Sequence, residues 1–219
     1  VPAFKDEPSD HTGLVTLIAA DDVSPRVVEA FRAVDRRLFV PEDARRSAYV
    51  DRPIEIPEHQ TTSQPSLIAH MIDAADLLPG DRVLEIGTGF GFQSALLAQL
   101  TGSVVSVERL ATISEAAAAN LAAAGIVGVE LVVGDGWQGV PDRGPYEAII
   151  VSAAASHVPD AFVDQLRDGG RLVIPVRADH GDDVLLFVKS KDHLVKVKLL
   201  TPARFVPLVP GDDKVQSNE

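Results

Sequence analysis

The 219-residue chain has no cysteine, which removes disulfides, thiolate zinc sites and a cysteine nucleophile together. The same absence suits a reducing compartment, and the cytoplasm is the expected location. No window approaches about 18 consecutive apolar residues, so no membrane-spanning helix and no membrane partner are expected. Positive charge is scarce as well: 20 Lys and Arg stand against 32 Asp and Glu, a formal net charge of −12. Affinity for phosphate backbones rests on clustered Lys and Arg, so nucleic acid is not an expected partner. Basic groups such as Arg45-Arg46 and Lys189/Lys191 read as solvated faces. The first residues, Val1-Pro2-Ala3-Phe4-Lys5-Asp6-Glu7-Pro8, lack a basic stretch followed by an apolar core and do not read as a secretory signal. The sequence starts at Val rather than Met, as a piece of a longer chain would. It contains no internal repeat and no low-complexity tract.

What is present is alternation. Arg82–Ile86, Val104–Val107, Val129–Val133, Ala148–Val151 and Arg171–Val176 are short apolar runs suited to buried parallel strands. Between them, Phe92–Leu100 and the alanine-rich Ala111–Ala124 favour helix. A further helix should start at Pro159 and stop at Asp168-Gly169-Gly170. This predicts an α/β fold: a doubly wound, mostly parallel seven-stranded sheet. Val184–Lys189 and Leu194–Leu200 are joined by too few residues for a crossover and should form an antiparallel hairpin at its edge. Ahead of the core, Pro25–Leu38 and Ser66–Leu78 each carry one apolar face and predict a small N-terminal helical cap. Arg52–Pro65 between them is expected to be an ordered loop, kept either for function or for packing. The expected division is 1–79 as cap and substrate-side loop, 80–200 as core, and 201–219 as a substrate-side tail, acting as one monomeric unit.

The chemistry-bearing positions fall at strand ends. Gly87, Gly89 and Gly91 sit between a strand and a helix, where glycine lets the backbone approach a ligand and the helix offers free N–H groups. A dinucleotide fingerprint would need glycine at position 92, which is Phe92. The spacing G-x-G-x-G, with Glu85 two residues ahead, resembles motif I of class I methyltransferases. Glu108 ends the next strand and could accept hydrogen bonds from ribose hydroxyls, which suits NAD or S-adenosylmethionine equally. Asp135, in Gly134-Asp135-Gly136, could accept from an adenine amino group while Gly136 permits close approach. The six histidines show no metal spacing, and no metal is expected.

Longer blocks carry a more specific resemblance. Asp81–Leu100, Gly134–Gly139, Ala148–Ala154, Gln165–Val176 and Arg204-Phe205-Val206-Pro207-Leu208-Val209 resemble the protein-L-isoaspartate O-methyltransferase family. So do Val34–Pro41 and Gln60-Thr61-Thr62-Ser63-Gln64-Pro65, and the likeness runs from about residue 14 to 210. It implies methylation of the free carboxylate of isoaspartyl residues in damaged proteins and peptides, with S-adenosylmethionine as donor and S-adenosylhomocysteine as product. The ester then collapses to a succinimide, whose hydrolysis returns part of the material to aspartate. The resemblance makes Ser63 the active-site serine. It gives Thr61, Ser63 and Val206 to the substrate, Val206 through its backbone. To the cofactor it gives Gln64, Pro65, Ser66, Glu85, Gly87, Thr88, Gly89, Phe90, Gly91, Glu108, Arg109, Asp135 and Gly136.

Such a sparse site suits the chemistry. An isoaspartyl carboxylate with a pKa of roughly 3–4 is ionised at neutral pH, so no general base is needed. Catalysis becomes a matter of placing one oxygen in line with the methyl–sulfonium bond. Ser63 would donate a hydrogen bond to the carboxylate rather than attack, and it lies in no nucleophile elbow.

One segment departs from the family pattern. Related sequences usually carry glycine just before the Ser63 block, where this chain has Ile56-Pro57-Glu58-His59. The loop is expected to close differently there, with His59 in a structural or solvent-facing role. That departure motivates a second reading, a paralogue that methylates an ordinary Asp or another carboxylate of a dedicated peptide. A non-catalytic module binding isoaspartyl peptides or S-adenosylmethionine is a third. An NAD oxidoreductase is weakened by Phe92 and by the missing second nucleotide-binding half.

Overall fold

A computed structural model describes residues 7–211, so Val1–Asp6 of the N-terminal reading and 212–219 of the tail lie outside the described residues. Helix α1 (His11–Ala20) opens with Asp10 accepting from the Gly13 N–H at 2.8 Å, and α2 (Pro25–Ala33) follows with proline in its first turn. Strands β1 (Ile54–Ile56) and β2 (Gln60–Thr62) form a small hairpin before α3 (Pro65–Ala74). The core alternates as β3 (Val83–Ile86), α4 (Phe92–Thr101), β4 (Val104–Glu108), α5 (Ala111–Ala123), β5 (Val129–Val133), β6 (Tyr146–Val151) and α6 (Asp160–Gln165). Strands β7 (Leu166–Ala178), β8 (Gly181–Ser190) and β9 (His193–Ala203) complete it.

The seven-stranded sheet has the order β5-β4-β3-β6-β7-β8-β9, parallel as far as β7 and antiparallel beyond it. The doubly wound α/β expectation and the antiparallel edge hairpin are both met. Strands β3 and β4 are buried along their whole length, as parallel strands covered on both faces must be. One face packs Leu84, Ile149, Leu172 and Phe162; the other packs Ile150 and Val173 against the N-terminal helices through Ile18, Phe31 and Ile72. Phe92 of α4 anchors that second layer, with Phe31 at 5.7 Å and Phe39 at 5.9 Å between ring centroids.

Several boundaries differ from expectation for local reasons. α2 stops at Ala33 rather than Leu38, because Val34 is extended and the Asp35 side chain caps the Arg37 N–H at 2.9 Å, starting a 3-10 turn at Arg36–Phe39. α3 ends four residues before Leu78, since Asp76 adopts φ 47° and Leu78 is left 59% exposed. α6 gives way at Leu166, which pairs with Tyr146 in the sheet. Lys189 is not a solvated face: its Nζ donates to the Val163 and Leu166 carbonyls at 2.6 and 2.7 Å, closing the end of α6.

The chain runs from β3 outward to β5 and then returns to β6 on the other side of β3. The carboxyl ends of β3 and β6 therefore face a crevice at the point where the winding reverses, the usual ligand position in open α/β sheets.

Candidate active site

The glycine loop leaves β3 at that crevice. The Gly87 N–H donates to the Val107 carbonyl at 2.9 Å, and the Gly91 N–H to the Thr88 carbonyl at 3.0 Å, which folds the loop back into α4. Glu108, at the end of β4, accepts from the Gly89 N–H at 3.0 Å and the Leu110 N–H at 3.1 Å. Burial raises its pKa above the ordinary carboxylate value, opposed by these backbone donors. Gly136 lies so close to Ile86 that a Cβ would come within 2.6 Å of its Cγ2, so only glycine fits beside the strand end.

Three adjoining cavities follow this edge. One of about 660 Å³ is bordered by Thr61, Ser63, Gln64 and Ser66 on one side and by Lys198, Arg204 and Val206 on the other. A second, about 60 Å³, lies between Gln60–Ser63 and the glycine loop, touching Gly87, Thr88, Gly89, Phe90 and Glu108. A third, about 70 Å³, lies among Glu108, Arg109, Gly136 and the tail residues Val206–Val209. Among the described residues, only Ser152 and Val206 border all three. The largest is of the size that holds a ligand side chain with its flanking main chain, within the roughly 300–1,000 Å³ typical of binding pockets.

Thr61, Ser63, Gly87, Thr88, Gly89, Phe90, Glu108, Arg109, Gly136 and Val206 are thus brought to one cleft. Ser63 is half-buried, and its hydroxyl takes no partner among the described residues, while its carbonyl accepts from Arg36 at 3.0 Å. Other positions land differently. Gln64 and Ser66 border the large cavity, not the glycine loop, and both are tied to Asp51: Gln64 Nε2 at 2.9 Å and the Ser66 N–H at 2.8 Å. Pro65 is buried at the start of α3 and Gly91 is buried against Leu121 and Ala117, so neither borders a cavity.

Glu85 is fully buried and faces inward, accepting from Ser106 at 2.6 Å, from Gln93 at 3.0 Å and from Ser94. Its place is under the loop, not against a ligand. Asp135 spends one oxygen on the Trp137 N–H at 2.8 Å and the other on the Gly211 N–H at 2.9 Å, so it fastens the tail to the end of β5. The Val206 carbonyl accepts from the Ala154 N–H at 2.8 Å, while no bond to its own N–H is recorded among the described residues.

Burial pushes the Glu85 carboxyl up to about 7 from an ordinary 4.5, against the lowering effect of its three side-chain donors. The folded state therefore holds this proton more tightly than the unfolded chain. Stability from this group is greatest below about pH 4.5 and falls as pH rises toward 7, by on the order of 3 kcal/mol. Glu85→Gln is expected to flatten that part of the urea-unfolding profile between pH 4.5 and 7. An unchanged slope would show that Glu85 ionises as freely folded as unfolded.

Two residues that sequence motifs did not flag organise the site. Arg36 is fully buried, and its guanidinium donates to the carbonyls of Ala48 and Val50 at 3.0 Å, Arg52 at 3.2 Å and Ser63 at 3.0 Å, and to the Thr62 hydroxyl at 3.1 Å. It also lies 5.7 Å from the Phe92 ring centroid. Burial lowers its pKa to about 10, partly offset by Asp51. Ser152 is the other. The available signals were their places inside two family-like blocks, Val34–Pro41 for Arg36 and Ala148–Ala154 for Ser152.

The β1–β2 turn shows how the chain manages without glycine. Glu58 and His59 adopt φ 60° and 54°, left-handed values that cost a non-glycine residue roughly 1 kcal/mol each. Ile56 still pairs with Gln60, and His59 is exposed, the solvent-facing of its two expected roles. Among the described residues no group of three His, Cys, Asp or Glu could hold a metal ion, and no helix is long and apolar enough to cross a membrane.

Residues 11–213 match the family described as protein-L-isoaspartate(D-aspartate) O-methyltransferase. The chain belongs to this family. A relative named protein-L-isoaspartate O-methyltransferase from Methanoculleus marisnigri is 49% identical, over 84% of this chain and 83% of its own. Another of that name from Pyrococcus horikoshii is 41% identical over 89% and 90%. A solved structure described by the same name has a TM-score of 0.82 at 33% identity, covering 92% of this chain and 66% of that one. A Plasmodium falciparum structure, in complex with S-adenosyl-L-homocysteine, shares the fold with a TM-score of 0.79 at 24% identity, over 92% and 99%.

Proposed function

We propose that the protein methylates the free carboxylate of L-isoaspartyl residues in damaged proteins and peptides, initiating their repair through a succinimide. The observation that carries this reading is the position of Ser63. Its unpartnered hydroxyl borders both the 660 Å³ cavity and the smaller one against the glycine loop. The family match favours methyl transfer over nicotinamide chemistry.

The cleft fits S-adenosylmethionine: a glycine loop admits close approach, and Glu108 offers an acceptor beside it for ribose hydroxyls. That cofactor supplies an electrophilic methyl group on a sulfonium. The chain's own residues hold and orient the acceptor. Ser63 donates to the already ionised carboxylate, the Val206 N–H meets the substrate main chain, and Thr61 closes the wall beside them. With the cofactor bound, these residues would set one carboxylate oxygen in line with the methyl carbon and its sulfur leaving group, and no proton would need to move. Gly87, Thr88, Gly89, Phe90 and Arg109 complete the cofactor side. The division into cap, core and tail, the monomeric state, the cytoplasmic setting and the absence of nucleic-acid and membrane partners belong to the same proposal.

Matched isoaspartyl and aspartyl peptides with labelled S-adenosylmethionine test it: label should enter the isoaspartyl peptide. Label only in the aspartyl peptide would favour the paralogue, and binding of both ligands without S-adenosylhomocysteine release would favour a binding module. Ser63→Ala should lower turnover about 30-fold while cofactor affinity stays within about three-fold, since one positioning donor is lost. A parallel loss of cofactor affinity would move Ser63 out of the substrate's half of the cleft.

A further inference from the structure

Ser152 is the first residue beyond β6, at the point where the winding of the sheet reverses. Its N–H donates to the Ile86 carbonyl at 2.8 Å, which fixes its backbone to the end of β3. Gly87, at φ 92°, passes so near that a Cβ there would stand 3.4 Å from the Ser152 Cβ. The side chain is therefore held by main chain from two strands, and it borders all three cavities.

Its hydroxyl also has a fixed direction. Ser94 and Ser106 both donate to Glu85 Oε2, and Gln93 Nε2 donates to Oε1 at 3.0 Å. Once ionised, above about pH 7, Glu85 only accepts, so this bond takes the nitrogen end of the Gln93 amide and leaves Oε1 buried without a partner among the described residues. The same Nε2 reaches Ser152 Oγ at 3.0 Å. That nitrogen can only donate, so Ser152 accepts and its own proton is left for another partner. No acceptor for it exists among the described residues. Thr88, by contrast, is turned inward onto Ser106 at 2.6 Å, whose single proton is already given to Glu85.

Resting on the methyl-transfer reading above, we propose that Ser152 is a second catalytic donor to the substrate carboxylate, with Gln93 and Glu85 as the residues that keep its proton turned to the cleft. Ser63 reaches the carboxylate from the segment between β2 and α3, and Ser152 reaches it from the sheet. One donor leaves a carboxylate free to rotate about its C–C bond; two donors from different walls fix its plane. A fixed plane holds the attacking lone pair in line with the methyl group, which is where a positioning enzyme gains its rate.

The test combines isoaspartyl-peptide kinetics with calorimetric titration of S-adenosylhomocysteine. Ser152→Ala is expected to lower kcat about 30-fold while the cofactor-product Kd stays within about three-fold. Ser152→Thr, which restores a hydroxyl, should recover most of that loss. Gln93→Leu leaves Ser152 in place but unanchored, and should lower kcat in the same direction. In the double variant Gln93→Leu/Ser152→Ala the two losses should not multiply, because both remove one aligned proton. A Ser152→Ala enzyme within about two-fold of the parent kcat overturns the proposal. So does a Kd that weakens as much as kcat falls, or a double variant whose losses multiply. A parent protein that transfers no methyl group to the peptide overturns the underlying reading and this one with it.

Discussion

Arg36→Met is expected to destabilise the fold by about 4 kcal/mol, read as a fall in the urea midpoint at constant slope. Methionine fills much of the same volume but donates nothing. Four carbonyls and the Thr62 hydroxyl would lose their buried partner, and each such loss costs about 1–3 kcal/mol where water does not replace it. The charge itself is a weak stabiliser, since burial already lowers its pKa and Nε has no partner. Arg36→Lys separates the two contributions. It keeps the positive charge but cannot span carbonyls from Ala48 to Ser63, so it should recover only part of the loss. A midpoint shift equivalent to less than about 1 kcal/mol for Arg36→Met would mean that water takes over the five acceptors. Catalysis should suffer before unfolding does, because one of those acceptors is the Ser63 carbonyl.

Glu108→Ala is expected to weaken S-adenosylhomocysteine binding about 30- to 100-fold, with kcat at saturating cofactor far less affected. A charged acceptor for two ribose hydroxyls is worth roughly 2–3 kcal/mol. The substitution also releases the Gly89 and Leu110 N–H groups, so part of the loss is a looser glycine loop. Glu108→Gln keeps one acceptor oxygen and should fall between the two. Titration calorimetry decides the matter, and an unchanged Kd would remove Glu108 from the ribose position. Ser63→Ala is expected to show the opposite pattern, and the pair together would divide the cleft into a cofactor half and a substrate half.

The core of the fold was legible because its physics is local. Strands buried on both faces, such as β3 and β4, are mostly apolar runs, broken here by Glu85 and Ser106, and a four-residue gap after Lys189 leaves room only for a hairpin. Helix α1 was not legible. Its sequence opens His11-Thr12-Gly13 and carries several β-branched residues, so propensity argues against it. Tertiary contacts hold it instead: Leu14 and Ile18 are buried, and His11 Nε2 lies 2.9 Å from the Phe31 carbonyl. The hairpin at 54–62 escaped notice because three-residue strands show too little alternation to stand out.

At the site, motifs located the glycine loop, Glu108 and the Ser63 block but did not show how Glu85 and Asp135 are engaged within the protein. A sequence reveals that an acid lies at a strand end, not which way it turns. Glu85 turns inward onto Ser94 and Ser106, and the partner that occupies Asp135 lies at Gly211, far along the chain. Arg36, Gln93 and Ser152 act through hydrogen bonds between distant segments, and no short motif encodes such a network.

The tail beside the large cavity is held by its backbone, Val206 and Leu208 exchanging hydrogen bonds with Ala154 at 2.8 Å. In the proposed reading, the Val206 N–H of this wall would meet main chain of the guest. A damaged residue inside a helix or sheet of a client protein has its own amides already occupied, and must be released before it can lie there. A client segment whose local opening costs about 4 kcal/mol offers only roughly a thousandth of its copies at any instant. In that reading the rate of modification would report how readily the client comes apart, with loosened proteins served before rigid ones.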